Sequence, residues 1–569
     1  MTISAVMGVD LGTGGVRAIV VDAHTGAVLA GATREYPLLT PKPQWAEQRP
    51  EDWWRAAQEA IASALREMGN TGNGAVELVA LGVTGQMHGL TLLDAENRAL
   101  RPAMLWCDNR TEAQCDEINE TVGLARLREI AANPAQTGFM APKLLWVREH
   151  EPALYSRARH ALLPKDYLRL MLSGEYATDV ADASGTLLLD VRRRAWSAEL
   201  PERLRIAPAW LPAVYEGPEV CARVSAAGAA ATGLPEGLAI VAGAGDQAAG
   251  GVGNGIVRPG LTSSTVGTSG VVFAATEEVR SDKKGALNSF CHAVPGLWHV
   301  MGVTQAAGLS LRWVRDHLQA GAAASGNEGV DPYTVLVEQA ATAPAGCEGL
   351  LYLPYLMGER TPHLDPNARG GWVGLTARHN RAALIRSVLE GVTYSLRDCI
   401  ELLREAGVPV TAVRASGGGA RSRVWRQMQA DVFGVPVTTL SATDGPAYGA
   451  ALLAAVGAGI YPDVAAACDA TLRENETLQP DQARQATYEG YYGVYRALYP
   501  ALRDQLAELS RLAADANEGA GGGVGSQGGR GERGGTEGDA DAAGKPSVGR
   551  SGAWWSDAGQ DPAGTVCRP

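Results

Sequence analysis

The chemistry legible in this chain lies with two aspartates and two glycine turns. Val6-Met7-Gly8-Val9-Asp10 runs into Leu11-Gly12-Thr13-Gly14-Gly15 and then into the apolar stretch 16–22. In the second half, residues 262–266 run into Gly267-Thr268-Ser269-Gly270 and then into 271–274. Each reads as strand, tight glycine turn, strand. Glycine admits positive φ and lets main-chain N–H groups approach an anion with no Cβ in the way. One hairpin in each half implies a duplicated unit that clamps a single polyphosphate between its lobes. That chemistry is phosphoryl transfer from ATP.

Asp10 stands at a strand end just before the first turn. A carboxylate there can hold Mg²⁺, directly or through water, beside the phosphates. It can equally hydrogen-bond the N–H groups of its own loop. Asp246 follows the apolar segment 238–242 and Gly243-Ala244-Gly245, and opens a helix of small residues. This places it at the carboxyl end of a sheet, where α/β proteins bind ligands. A hydroxyl attacking a γ-phosphate needs such a carboxylate to accept its proton. Aspartate is also a favoured helix cap, and spacing alone does not separate the two roles.

Three further motifs bear on binding. Gln86-Met87-His88-Gly89 ends a strand with two polar groups and a thioether, a combination that suits sugar hydroxyls; a lone histidine satisfied by main chain is the plainer reading. Gly417-Gly418-Gly419, between a strand and a helix, can let the backbone lie against a nucleotide or can simply shape a tight connection. Gly243-x-Gly245-x-x-Ala248 meets a weak dinucleotide pattern, but no Asp or Glu occurs between Gln247 and Thr276 to hold a ribose. The sequence holds no G-x-x-x-x-G-K-[ST] loop and no His/Cys/Asp cluster with zinc spacing.

The elements that must position these groups follow from pattern. A chain of 569 residues is too long for one core, so two large domains are expected. Helices are expected over 51–68, with Trp54, Ile61 and Leu65 on one face, over 380–405, with Leu384, Val388, Leu389 and Val392, and over 422–433. Strands are expected over 78–84, 238–242 and 411–415, and this alternation argues α/β layers around a sheet in each half. The domain boundary falls near residue 256, dividing 1–255 from 256–513. Beyond Ala514 there is no Leu, Ile, Phe or Tyr and glycine dominates, so 514–569 reads as a disordered tail, with an isolated Trp554-Trp555 pair.

Composition excludes several classes. The net charge of −12 argues against nucleic acid or an anionic membrane as the main partner. No basic-then-apolar signal opens the chain, and no apolar run approaches the ~20 residues of a membrane span. The eight cysteines form no CxxC pair and read as reduced thiols, so a cytoplasmic enzyme is expected.

These residues together resemble the FGGY family of carbohydrate kinases. The likeness runs from Met7 to Gly457 and is carried by the first hairpin, Gln86-Met87-His88, Ala141-Pro142-Lys143-Leu144-Leu145-Trp146-Val147 and Leu162-Leu163-Pro164-Lys165-Asp166-Tyr167-Leu168. It continues through 243–247, Gly267-Thr268-Ser269-Gly270, Gly358-Glu359-Arg360-Thr361-Pro362 and Gly417–Ser422 with Trp425-Arg426-Gln427-Met428. The Gln-Met-His segment with Pro-Lys-Asp-Tyr-Leu resembles the branch that phosphorylates D-xylulose at its 5-hydroxyl. The resemblance implies two actin-like (ribonuclease H-like) ATPase domains with ATP, Mg²⁺ and sugar in an interdomain catalytic cleft. It implies Asp246 as proton acceptor and Asp10 as the carboxylate tied to Mg²⁺. It places Gln86, Met87, His88, Asp246 and Gln247 at the sugar, and a homodimer is plausible for the family. Thr13, Gly14, Gly267 and Thr268 would meet phosphate, and Gly417, Gly418 and Gly419 the adenosine. Gly14 stands where many relatives carry Ser, and Gln247 where the D-xylulose branch commonly carries Asn. The competing readings are an FGGY kinase for ribulose, gluconate or glycerol, and a non-catalytic actin-like sugar sensor.

Overall fold

The two halves of the chain build two sheets of the same order. The structure, a computed structural model, describes residues 2–70, 75–282, 284–318, 331–441 and 444–521. The first sheet is made of β1 (Ile3–Leu11), β2 (Gly15–Asp22), β3 (Val28–Glu35), β4 (Val76–Gly85), β5 (Val220–Arg223) and β6 (Ala239–Gly245), in the order β5-β6-β4-β1-β2-β3. The second is made of β7 (Gly260–Val266), β8 (Gly270–Thr276), β9 (Asn288–Cys291), β10 (Trp298–Thr304), β11 (Val410–Gly417), β12 (Val437–Leu440) and β13 (Glu474–Leu478), in the order β9-β10-β8-β7-β11-β12-β13. Read from the other edge, the second order repeats the first with β9 added. In both, an antiparallel meander begins with a glycine hairpin and is followed by parallel strands. The duplication inferred from the two hairpins therefore holds at the level of topology.

The helices that matter for the site are α1 (Pro50–Asn70), α2 (Met140–His150), α3 (Pro164–Ser173), α4 (Val180–Ser184), α5 (Asp246–Gly253), α6 (Arg381–Glu405), α7 (Gly445–Gly457) and α8 (Gln482–Gly521). β1 is apolar from Ala5 to Val9 because both of its faces are covered there. Ala5, Met7 and Val9 pack with Trp53, Ala57, Ala60 and Ile61 of α1, whereas Val6 packs with Ala447 and Ala451 of α7. The buried face of α1 thus centres on Trp53, and Trp54 and Leu65 lie only half-buried at its flank. Alanines at 56, 57, 60 and 64 let the helix approach the sheet, so its inner face is made of Trp53 and Ile61 set among small residues.

α7 belongs to the second half by sequence but lies across the first sheet. It crosses α5, and both helices are rich in glycine and alanine because nothing larger fits. A Cβ on Gly449 would drive into the carbonyl oxygen of Ala249, one on Gly253 into that of Gly445, and one on Gly8 into that of Ala447. Asn380 and Ser422 cap their helices, their side chains accepting from the N–H groups of Ala383 and Trp425 at 3.0 and 3.3 Å. α8 continues past Ala514, where the sequence reading began its tail, because Ala513–Glu518 are mostly competent helix formers. Residues from Ala507 on form a separate unit. The rest of the tail, Trp554-Trp555 included, lies outside the described residues.

Candidate active site

Register brings the first set of predicted groups together. β1 and β4 run parallel with Asp10 opposite Thr84 and Leu11 opposite Gly85, and β4 and β6 run parallel with Gly85 opposite Gly245. Asp10, Gln86-Met87-His88 and Asp246 therefore emerge from the carboxyl ends of three adjacent strands. The second set is assembled in the same way. Val266, the last residue before the second turn, lies opposite Gly417 in the parallel pair β7 and β11. Gly417 has φ of 75°, and a Cβ there would meet the Val266 backbone. Gly267 and Thr268 thus sit beside Gly417, Gly418 and Gly419. Helix 308–318 closes under that turn, with the N–H groups of Gly308 and Leu309 donating to the Gly267 and Thr268 carbonyls at 2.8 and 3.1 Å.

Asp246 is not a helix cap. Gly245 takes the cap position of α5 with no side-chain capping bond, and Asp246 is the first helical residue. Its carboxylate accepts from Gln247 Nε2 at 3.4 Å. Burial pushes Asp246 up to about 6, against the Gln247 hydrogen bonds that favour the anion. Burial and the nearby Asp246 charge push Asp10 up to about 7, opposed by Arg17. Arg17 is itself held by Asp444. Asp10 Oδ1 is buried with no hydrogen-bond partner among the described residues, so this carboxylate is not spent on its own loop.

Thr13 sits in a network that spacing did not disclose. Its hydroxyl donates to Gln86 Oε1 at 3.2 Å and accepts from Trp106 Nε1 at 3.0 Å. Gln86 Nε2 donates to Gln48 Oε1 at 2.9 Å, and Gln48 Nε2 donates to the Thr13 carbonyl at 2.7 Å. A hydroxyl has one hydrogen, and that of Thr13 is committed to Gln86. Any donation from Thr13 to a phosphate therefore comes from its main-chain N–H. Gln86, read as a sugar ligand, has its amide engaged in tying the end of β4 to the first hairpin. Gly14 is exposed at the tip, and a Cβ there meets nothing within 4 Å, so a small side chain fits there without rearrangement.

His88 is buried, with φ of 69°. Its Nδ1 lies 2.9 Å from the Gly185 carbonyl and must donate to it, which leaves Nε2 as an acceptor. Burial holds the imidazole neutral by lowering it to about 3, with Lys143 and Arg360 adding to the effect and the Gly185 bond opposing it. The rings of Phe139 and Phe290 flank it at 4.6 and 5.7 Å. Phe290 comes from β9, so the second half reaches the sugar-side motif.

Behind Asp246 lies a fully buried ion cluster. Lys165 Nζ is 2.6 Å from Asp166 Oδ1 and from Asp179 Oδ2, and 3.4 Å from Asp182 Oδ2. Arg169 bonds Asp166 Oδ1 at 2.6 Å and donates to the Ala242 carbonyl of β6. Asp179 caps α4, accepting from the N–H groups of Ala181 and Asp182 at 2.8 and 2.9 Å. Burial pushes Asp182 well above the usual carboxylate range, Lys165 opposes it, and the Asp179, Asp166 and Asp246 carboxylates add to the rise. The Pro-Lys-Asp-Tyr-Leu motif thus braces the strand that delivers Asp246. The sequence flagged the motif but not this role, and Gln48, Asp179 and Asp182 had no signal at all.

Two actin-like halves joined at a helix crossing, with a glycine hairpin in each and two carboxylates at adjacent strand ends of the first sheet, define a phosphotransferase of the sugar-kinase class. The N-terminal domain model of the FGGY family of carbohydrate kinases matches residues 5–253 and its C-terminal domain model matches 262–458. The chain belongs to the FGGY family of carbohydrate kinases. It is 40% identical to the xylulose kinase of Escherichia coli (strain K12) over 88% of this chain and 100% of that one. It is 39% identical to the xylulose kinase of Bacillus subtilis (strain 168), over 88% and 97%. The crystal structure of a "xyloylose kinase" from Brucella ovis superposes with a TM-score of 0.80 at 38% identity, covering 88% of this chain and 99% of that one. Among the described residues, no helix is long and apolar enough to cross a membrane.

Proposed function

We propose that this chain transfers the γ-phosphoryl group of ATP to the 5-hydroxyl of D-xylulose, giving D-xylulose 5-phosphate and ADP. The observation that carries the reading is Asp246: an uncapped carboxylate at the end of β6, beside Asp10 and the Gln-Met-His strand. The xylulose kinase relatives, matched over nearly their whole length, supply the substrate. Sugar and nucleotide meet in a cleft between the halves, the sugar on the Met87-His88 side and the adenosine on the Gly417–Gly419 side. Neutral His88 accepts a sugar hydroxyl through Nε2, and Gln247 beside Asp246 offers its amide to another. The 5-hydroxyl attacks the γ-phosphorus as its proton passes to Asp246, and the β–γ bridging bond breaks to release ADP. Main-chain N–H groups of the two hairpins face the charge spread over the phosphoryl oxygens. Asp10 fits Mg²⁺, since its buried Oδ1 lacks a partner and a hard cation takes carboxylate and water oxygens. When bound, that ion neutralises phosphate charge.

A coupled ADP-release assay with Mg-ATP tests the substrate against D-xylulose, D-ribulose, L-ribulose, L-xylulose, gluconate, glycerol and xylitol. D-xylulose is expected to lead in kcat/KM by about tenfold or more, because buried hydroxyl ligands discriminate strongly. Leadership by another substrate overturns the choice of sugar and directs attention to Gln247. ADP release that no sugar stimulates would favour a sensor.

The base must be ionised to accept a proton, so protonation of Asp246 removes activity. As its carboxylate is pushed up to about 6, kcat/KM for the sugar is expected to fall as pH drops through that value and to level off above it. The residual rate of Asp246→Asn should lack this limb. An acid limb confined to the ordinary aspartate range, near pH 4, would remove Asp246 from the role.

A further inference from the structure

Lys143 is fully buried in α2, yet it makes no ion pair among the described residues. A buried ammonium without a carboxylate partner is rare, and burial lowers Lys143 to about 7, with Asp108 opposing the drop. Two of its three Nζ donors go to main-chain carbonyls. It donates to the His88 carbonyl at 3.1 Å and to the Gly138 carbonyl in the segment that leads into α2. His88 is one of the few non-glycine residues here with φ in the left-handed region, a conformation that surrounding contacts must impose. Two contacts do so. Gly185 accepts from the ring Nδ1, and Lys143 fixes the carbonyl on the other side of the same Cα. Gly185 also has no room for a side chain, since a Cβ there would collide with the His88 ring.

We propose that Lys143 is a positioning residue for sugar recognition, holding His88 in its left-handed backbone conformation so that Nε2 faces the substrate. This rests on the reading of His88 as a sugar ligand. Lys143 itself does not touch the sugar; it acts through the main chain of His88. Losing it lets residue 88 relax toward an ordinary φ and swings the ring away. That removes binding shared by ground and transition states, so KM for the sugar changes more than kcat.

The test is a double-mutant cycle of Lys143→Met and His88→Ala, reading kcat and KM for D-xylulose and for ATP separately. Lys143→Met is expected to raise the sugar KM about tenfold, to leave the ATP KM within about twofold, and to add nothing further in the His88→Ala background. An unchanged sugar KM in folded Lys143→Met overturns the proposal, as does full additivity with His88→Ala, the result of a merely structural lysine. Should Lys143→Met fail to fold, Lys143→Gln enters the same cycle with the same two readings, because its shorter amide cannot span both carbonyls. If His88→Ala itself leaves the sugar KM unchanged, the reading of His88 fails. If His88→Ala raises it and the lysine variant does not, only the role of Lys143 fails.

Discussion

Replacing Asp246 with alanine is expected to lower kcat by about 10²–10⁴-fold, the usual contribution of a general base. ATP binding should be little changed, because the groups proposed for the nucleotide lie on the two hairpins and at Gly417–Gly419 rather than on the Asp246 side chain. The size of the effect follows from where the residue stands. Asp246 opens α5 without capping it, so its loss does not unravel the helix, and the ion cluster of Lys165, Arg169 and Asp166 still holds β6 through the Ala242 carbonyl. The deficit should therefore appear in the chemical step. Single-turnover kinetics with D-xylulose, alongside nucleotide binding by calorimetry, read the two quantities apart. Turnover within a few-fold of wild type would sink the assignment of the base, and a matching loss of nucleotide affinity would mark a general collapse of the site.

Gly449→Ala should be among the most destabilising single-methyl changes available in this chain. Helix propensity alone predicts a gain of roughly 0.5–1 kcal/mol for alanine in a helix interior. The expected outcome is the reverse, a loss near or above the ~1–3 kcal/mol typical of overpacking. The new Cβ would meet the carbonyl oxygen of Ala249, a main-chain atom in α5 that cannot swing aside as a side chain would. Relief requires the two helices to separate, and α7 is also seated on β1 and β4, where Gly8 and Gly82 leave no slack beneath it. Thermal unfolding of Gly449→Ala against wild type measures this, with Gly14→Ala as the control. Gly14 opens onto empty space, so its variant should melt with wild type. A Gly449→Ala protein as stable as wild type would mean that the helix crossing is looser than described.

Much of the fold was written in local pattern. The two glycine hairpins, the helices expected over 380–405 and 422–433 and the strand preceding Asp246 each followed from residue type and spacing, and each was found within a few residues of its expected place. α1 was legible as a helix and Ile61 of its expected face is buried in the core, but Trp54 and Leu65 only flank a contact that Trp53 and the alanines carry. The extension of α8 was missed for a related reason. Lack of large apolar residues argues against tertiary burial, yet Ala513–Glu518 still favour a helix locally. Around the site, Asp10, Asp246 and His88 were visible because they punctuate strand ends. Gln48 was invisible, because a glutamine ahead of a helix carries no pattern that distinguishes a relay from a solvated side chain.

What the sequence determined by itself was the inventory: a duplicated α/β chain, two phosphate-type hairpins, two carboxylates and a sugar-side motif. Such features depend on backbone conformation and short-range spacing, which a linear string records. Tertiary structure alone decided what each group is free to do. Parallel register set Asp10, Gln86 and Asp246 on adjacent strand ends, and Gly245 rather than Asp246 took the capping position. Gln86 claimed the single hydroxyl hydrogen of Thr13, and Gly185 selected the tautomer of His88. Hydrogen-bond capacity is finite, so the partners that consume it, drawn from distant segments, decide which atoms remain for substrate. Those partners are fixed only when the sheets and helices have packed.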